Sequence, residues 1–152
     1  MHPIEVRGAA KRYGAIQAVD GLDITVPEGT CIGLLGPNGA GKSTTMRMLT
    51  AQTVADAGTI HVLGHELPRD SKAARAKMGV VPQLDNLDIA LTVEQTLPMF
   101  SYLYGVKPRD RREAIDRCLA IGNLSDRAHT RVDKLSGGMR RRLLIARALV
   151  HR

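Results

Sequence analysis

The nine residues Gly36-Pro37-Asn38-Gly39-Ala40-Gly41-Lys42-Ser43-Thr44 constrain this chain more than any other stretch. They satisfy the pattern G-x-x-x-x-G-K-[S/T]. The apolar run Cys31-Ile32-Gly33-Leu34-Leu35 precedes them, and a segment with helical character, 42–50, follows. A strand, a glycine-rich turn and a helix in that order put successive backbone amides at a helix N-terminus, where the helix dipole favours an anion. The glycines permit unusual dihedrals and close approach of the backbone to a phosphate. Lys42 is long enough to reach the β- and γ-phosphates of a nucleotide. The Ser43 hydroxyl suits Mg²⁺, which takes few protein ligands beside phosphate oxygens. By itself the pattern leaves GTPases, kinases and many ATPases open.

Around this loop, short apolar runs alternate with helical patterns. Strands are expected over 30–35, 59–63 and 78–81, and helices over 42–50 and 71–77, an order that argues for an α/β domain. Ahead of them, 4–7 and 15–26 read as strands of a small β layer, the second ending in the turn Pro27-Glu28-Gly29. A helix over 93–104 is announced by Thr92 with Gln95 three places on, a capping box, and is closed by Gly105. Another follows Pro108 and runs to about Ile121. The last starts at Ser136, and on it Met139, Leu143, Ala146 and Val150 recur at spacings of four, three and four, building one apolar face. Cys31 and Cys118 fall in segments read as a buried strand and a helix, so both are expected to be packing residues rather than a disulfide or a zinc site.

Three further motifs follow the family order of one kind of nucleotide-binding protein. Leu135-Ser136-Gly137-Gly138-Met139, leading into Arg140-Arg141-Arg142-Leu143, resembles the ABC signature at the start of its helix. Ser136 would be the N-cap, and the glycine amides would form a second anion site. Val80-Val81-Pro82-Gln83 resembles the Q-loop, and Lys11-Arg12-Tyr13-Gly14 the A-loop, of the same family. From Ile4 to Leu149 the chain thus resembles the ATP-binding subunit of ABC transporters. Within that family, the run from Gly79 to Asp88, with Met139 in place of the usual glutamine, looks most like exporters of the nodulation-factor and daunorubicin-resistance type.

The resemblance implies a P-loop NTPase fold with a small β layer, a mostly parallel core and a helical subdomain. In residue ranges it implies a nucleotide-binding core over 1–83, a helical subdomain over about 84–135 and a signature helix over 136–152. It implies ATP and Mg²⁺ as cofactors. Tyr13 would stack on adenine, Gly36, Pro37, Asn38, Gly39, Ala40, Gly41, Lys42, Ser43 and Thr44 would surround the phosphates, and Ser43 and Gln83 would ligate Mg²⁺. Lys42 and Gln83 would be the catalytic members present. Ser136, Gly137 and Gly138 would close over the γ-phosphate held by a second ATP-binding subunit, and the dimer would drive integral membrane permease subunits from the inner face of the cell membrane. In the family the signature helix leads into a strand ending in Asp-Glu and later a switch histidine. Neither is among these 152 residues, so negligible hydrolysis is expected of this chain alone. The apolar face of the last helix, without a sheet partner, is expected to stay exposed and to promote aggregation.

Charge separates the competing classes. The net charge is +7, but residues 1–104 carry 9 Lys/Arg against 10 Asp/Glu, so the basicity belongs to the tail. There Arg109, Arg111 and Arg112 alternate with Asp110, Glu113 and Asp116, and Arg140 to Arg142 open a helix. Both read as solvated helix faces, and no nucleic-acid partner is expected. A soluble ABC ATPase acting on DNA or ribosomes would share the loop and the signature. Against it, the residues between Gly41 and Ser136 hold compact helices without heptads. A nucleotide-binding remnant without turnover fits every residue present. No apolar run approaches the ~20 residues of a membrane span, and the N-terminus lacks a signal-peptide core, so the chain reads as cytosolic.

Overall fold

The computed structural model describes residues 2–151, which divide into two compact units at Met78 and Gly79. The first unit is built on a four-stranded sheet in the order β2-β1-β3-β4, antiparallel throughout: β1 Ile4–Tyr13, β2 Ile16–Val26, β3 Ala57–Val62 and β4 His65–Leu67. Two helices accompany it, α1 Lys42–Leu49 and α2 Ser71–Ala76. Val6, Ala9, Val19, Ile60, Val62 and Met48 form its core, so α1 lies on the sheet through Met48.

β1 runs well past the expected end at residue 7. The reason is a set of irregularities that alternation cannot reveal. The β1/β2 register shifts between Val6 and Ala9 and again before Lys11 and Arg12. Gly8 takes φ +56°, and its amide donates to Asp23 Oδ1 at 2.7 Å. Each shift leaves a residue off the ladder, breaking the period of two while the strand continues. Asp56 secures the far end: Oδ1 accepts from Lys11 Nζ at 2.7 Å and Oδ2 from the Arg12 amide at 2.8 Å.

These bonds favour the Asp56 carboxylate, so its pKa lies below the ordinary value, the Lys11 bond being the larger cause and the Arg12 amide the second. A depressed folded-state pKa contributes stability above the unfolded-state value, and that contribution is lost as pH falls through the folded-state value. An NMR titration of the Asp56 carboxyl carbon should therefore show a midpoint below that of a free aspartate. Lys11→Met should move it back up, and an unchanged midpoint in that variant would remove Lys11 as the cause.

Two expected strands are absent as ladders. Residues 30–35 and 78–81 pair with no strand among the described residues. Ile32 is 49% and Leu35 91% exposed, and Cys31, expected in the core, is exposed as well. An apolar run becomes a buried strand only when neighbours take up its amides and cover its faces. The antiparallel layer finds its partners through hairpins and short returns, whereas a parallel core needs strands brought in from afar. The described sheet is therefore the β layer of the expected fold.

The second unit is helical: α3 Val93–Leu103, α4 Arg111–Ile121 and α5 Gly137–Ala148, with single 3₁₀ turns between them. The capping box forms as read, the Thr92 amide donating to Gln95 Oε1 at 2.9 Å and the Gln95 amide to Thr92 Oγ1 at 3.3 Å. Gly105, at φ +72°, follows α3. Cys118 is the packing residue expected, fully buried with Sγ donating to the Ala146 carbonyl at 3.2 Å, and burial pushes its pKa up.

The expectation for the last helix fails in one respect. Leu143, Ala146 and Val150 are at most 1% exposed, packed with Val93, Leu97 and Cys118 of the neighbouring helices. The face is covered from within its own unit, because α3 and α4 turn their apolar residues to the same centre.

Candidate functional site

The glycine-rich loop takes the shape its glycines allow. Gly36, Gly39 and Gly41 adopt φ of +150°, +85° and +80°. Gly41 is the N-cap of α1 and has no side chain to bond the first turn, so the amide donors there depend on a bound anion or water. The Thr45 amide donates to the Gly41 carbonyl at 2.8 Å, beginning the helix. Lys42 curls over the loop, Nζ donating to the carbonyls of Gly36 at 2.8 Å and Pro37 at 2.6 Å. These bonds hold the ammonium at the loop, beside the same first-turn amides, with no acidic residue in that turn to compete for it. Ser43 is exposed and Thr44 half-buried.

Beside the loop lies an open cleft of about 450 Å³, lined by Gln17, Val19 and Asp20 of β2 and by Gly39, Ala40 and Lys42. β2 also supports the loop from behind: a Cβ on Gly41 would stand 2.3 Å from the Ala18 carbonyl oxygen. The motif names Gly41, but Ala18 carries no signal in sequence because it contributes only backbone. Tyr13 stands at the end of β1, 43% exposed as a residue, with Lys11 Nζ 5.5 Å from the ring centre.

The second unit carries Gln83 and the Ser136 turn. Gln83 is exposed in a bend rather than at a strand end. Ser136 caps α5, Oγ accepting from the Met139 amide at 3.3 Å. Ser136, Gly137 and Gly138 are all exposed, and a Cβ on either glycine would meet nothing within 4 Å. Among the described residues, no packing requires glycine at 137 or 138.

Arg140 to Arg142 stand wholly or partly in solvent, and two of them also hold groups far along the chain. Arg140 pairs with Asp85 at 3.3 Å, and Arg141 Nη1 donates to the Pro82 carbonyl at 2.6 Å. Arg147, unremarked in sequence, is 5% exposed; its guanidinium donates to Asn86 Oδ1 at 2.7 Å and lies 4.3 Å from the centre of the Phe100 ring. A cation among apolar residues on a helix has no sequence signature when its partner, Asn86, is far along the chain.

A phosphate-type loop at the head of α1, on an antiparallel β layer, together with a helical unit bearing a Ser-Gly-Gly turn, defines an ATP-binding cassette. The profile of the ABC transporter family matches residues 19–152, and the chain belongs to that family. It is similar to a Nod factor export ATP-binding protein I from Rhizobium sp. (strain N33), 49% identical over 148 residues, which are 97% of this chain and 49% of that protein. The chain thus spans about half the length of the curated relatives it matches. Among solved structures it resembles an ATP-binding subunit of an ABC transporter, with TM-score 0.83 and 25% identity over 97% of this chain and 62% of that one. It also resembles a dimeric ATP-binding cassette in a post-hydrolysis state bound to ADP and Pi, with TM-score 0.79 and 25% identity, covering 97% of this chain and 69% of that one.

Proposed function

We propose that this chain binds Mg·ATP as part of the ATP-binding subunit of an ABC exporter. The observation that carries the reading is the loop itself: three glycines in left-handed or extended positive-φ conformations, an uncapped helix start and a lysine ammonium held at one place. Such a loop surrounds phosphate with donors and with positive charge. Tyr13 offers an exposed ring for adenine.

Ser43, in the first unit, would hold Mg²⁺ beside the loop, and the family resemblance assigns Gln83, in the second, to the same ion. Both are exposed and carry neutral oxygen donors, which suits an ion that keeps water and phosphate oxygens as most of its ligands. No cluster of three or more His, Cys, Asp or Glu exists among the described residues, and an ion bridging phosphates does not require one. When bound, the ion neutralises charge on the phosphates.

The open surroundings of Gly137 and Gly138 fit a role toward a second copy, whose bound γ-phosphate their amides would approach. The dimeric cassette bound to ADP and Pi supports pairing of two such subunits. The exporter reading is supported by the Nod factor export relatives, and membrane permease partners at the inner face of the membrane are what the family resemblance adds to it. No helix among the described residues is long and apolar enough to cross a membrane. In-line attack of water on the γ-phosphate is the reaction of the whole subunit.

Lys42→Ala tests the reading. Titrated with a fluorescent ATP analogue, the variant should bind about 10- to 100-fold more weakly, the worth of a lost charge-assisted hydrogen bond at 1.5–3 kcal/mol. Adenosine, which lacks phosphates, should show no difference between the two. Equal ATP affinity in both proteins would sink the assignment of the loop.

A further inference from the structure

Arg147 is an expensive residue where it stands. The residue is 5% exposed, so its charge loses hydration, and desolvation lowers its pKa. Its hydrogen-bonded partner is a neutral amide, beside an aromatic face, and no carboxylate among the described residues forms an ion pair with it. Leucine or methionine would fill the same space beside Phe100 without that cost. What the arginine adds is the bond to Asn86.

That bond has two neighbours. Arg141 holds the Pro82 carbonyl and Arg140 holds Asp85, so three arginines of α5 grip residues 82, 85 and 86. Asp85 then takes the Leu87 amide at 2.9 Å, and Leu87 is buried in the helical core. At the other end, a Cβ on Gly79 would stand 2.1 Å from the Ala148 carbonyl oxygen, so the segment's start also lies against α5. Gln83 sits inside this grip, held by its neighbours' bonds.

The geometry points to Arg147 as a positioning residue that anchors the segment 82–86 to α5, so that Gln83 is presented as a fixed group of the same body as the Ser136 turn. Arg140 is partly buried and Arg141 exposed, and contacts open to solvent are weak and screened. Arg147 is the buried member and carries most of the anchoring. The consequence for Gln83 rests on the Mg·ATP reading above; the anchoring itself does not.

The test uses the 152-residue chain with Arg147→Met, which keeps the packing on Phe100, and Arg147→Lys, which keeps a cation able to reach Asn86. Two quantities are measured: amide hydrogen exchange without nucleotide, and ATP affinity in Mg²⁺ and in EDTA. Arg147→Met should speed exchange over 82–88 by about tenfold or more while the α1 and α4 peptides stay as they are, since opening is local. It should also remove most of the affinity that Mg²⁺ adds, leaving affinity in EDTA within about twofold, because only ion-dependent contacts are disturbed. Arg147→Lys should restore part of both.

Unchanged exchange over 82–88 overturns the anchoring, and faster exchange with the Mg²⁺ gain intact overturns the positioning of Gln83. If Arg147→Met unfolds the whole unit, Asn86→Ala removes the acceptor from an exposed residue instead. Faster local exchange in that variant supports the anchoring, and unchanged exchange overturns it. A wild-type chain that binds no ATP defeats the nucleotide reading and the role of Gln83 with it, while the exchange result still decides the anchoring.

Discussion

Leu143→Ala is expected to destabilise the helical unit by about 3–4 kcal/mol, in the range for a buried leucine truncated where the surroundings cannot collapse. Leu143 is fully buried among Val93 and Leu97 of α3, Cys118 of α4 and Val150. Val93, Leu97 and Cys118 sit on two other helices, each held by its own backbone hydrogen bonds, so a cavity at Leu143 closes only if whole helices move. Urea unfolding followed by helical circular dichroism measures the change. Met139→Ala, on the same face but only partly buried, should cost less than about half as much, since less surface and volume are lost. The experiment also separates two views of α5. On an uncovered face alanine would be neutral or better, because it is the strongest helix former. A change under about 1 kcal/mol would therefore reinstate the exposed face that the sequence pattern suggests.

The second large effect lies in the phosphate loop. Gly41→Ala should lower ATP affinity by about 100-fold or more and destabilise the first unit by about 2–4 kcal/mol, whereas Gly39→Ala should cost only about 1–2 kcal/mol. Both glycines have positive φ, +80° at Gly41 and +85° at Gly39, so both variants meet the left-handed penalty. Only at Gly41 does the added Cβ also collide, 2.3 Å from the Ala18 carbonyl oxygen, while at Gly39 it meets nothing within 4 Å. The backbone of β2 is bonded to β1 and cannot retreat, so the loop must move, and the amides at the head of α1 move with it. Thermal unfolding and an ATP titration on the two variants check the contrast. Equal losses at both positions would mean that dihedral preference alone governs this loop.

The elements legible in the sequence are those whose bonds close within a few residues. The Thr92 and Gln95 capping box, the Ser136 cap, the helix at Lys42 and the Gly105 stop each depend on groups one to four positions apart, and all four stand where the pattern places them. The phosphate loop belongs with them, since glycine spacing and one lysine define its shape. Cys118 and Cys31 show where such reading ends. Each has a polar residue before it and an apolar one after it, yet one is buried on a helix and the other exposed in an unpaired run, because burial is decided by neighbours the local pattern does not contain.

The sequence by itself determined the helix starts and stops, the glycine-rich loop with Lys42, and the family to which the chain belongs, since all of these are written in short spacings. Only the tertiary structure decided that β1 continues through its bulges to Tyr13, that the apolar face of α5 is covered by α3 and α4, and that Ala18 backs Gly41. It alone showed that two arginines of the solvent-facing start of α5, together with the buried Arg147, hold the segment around Gln83. The physical reason is common to all of them. Each depends on a contact between groups far apart in the chain, and such a contact exists only once the backbone has brought its two sides together.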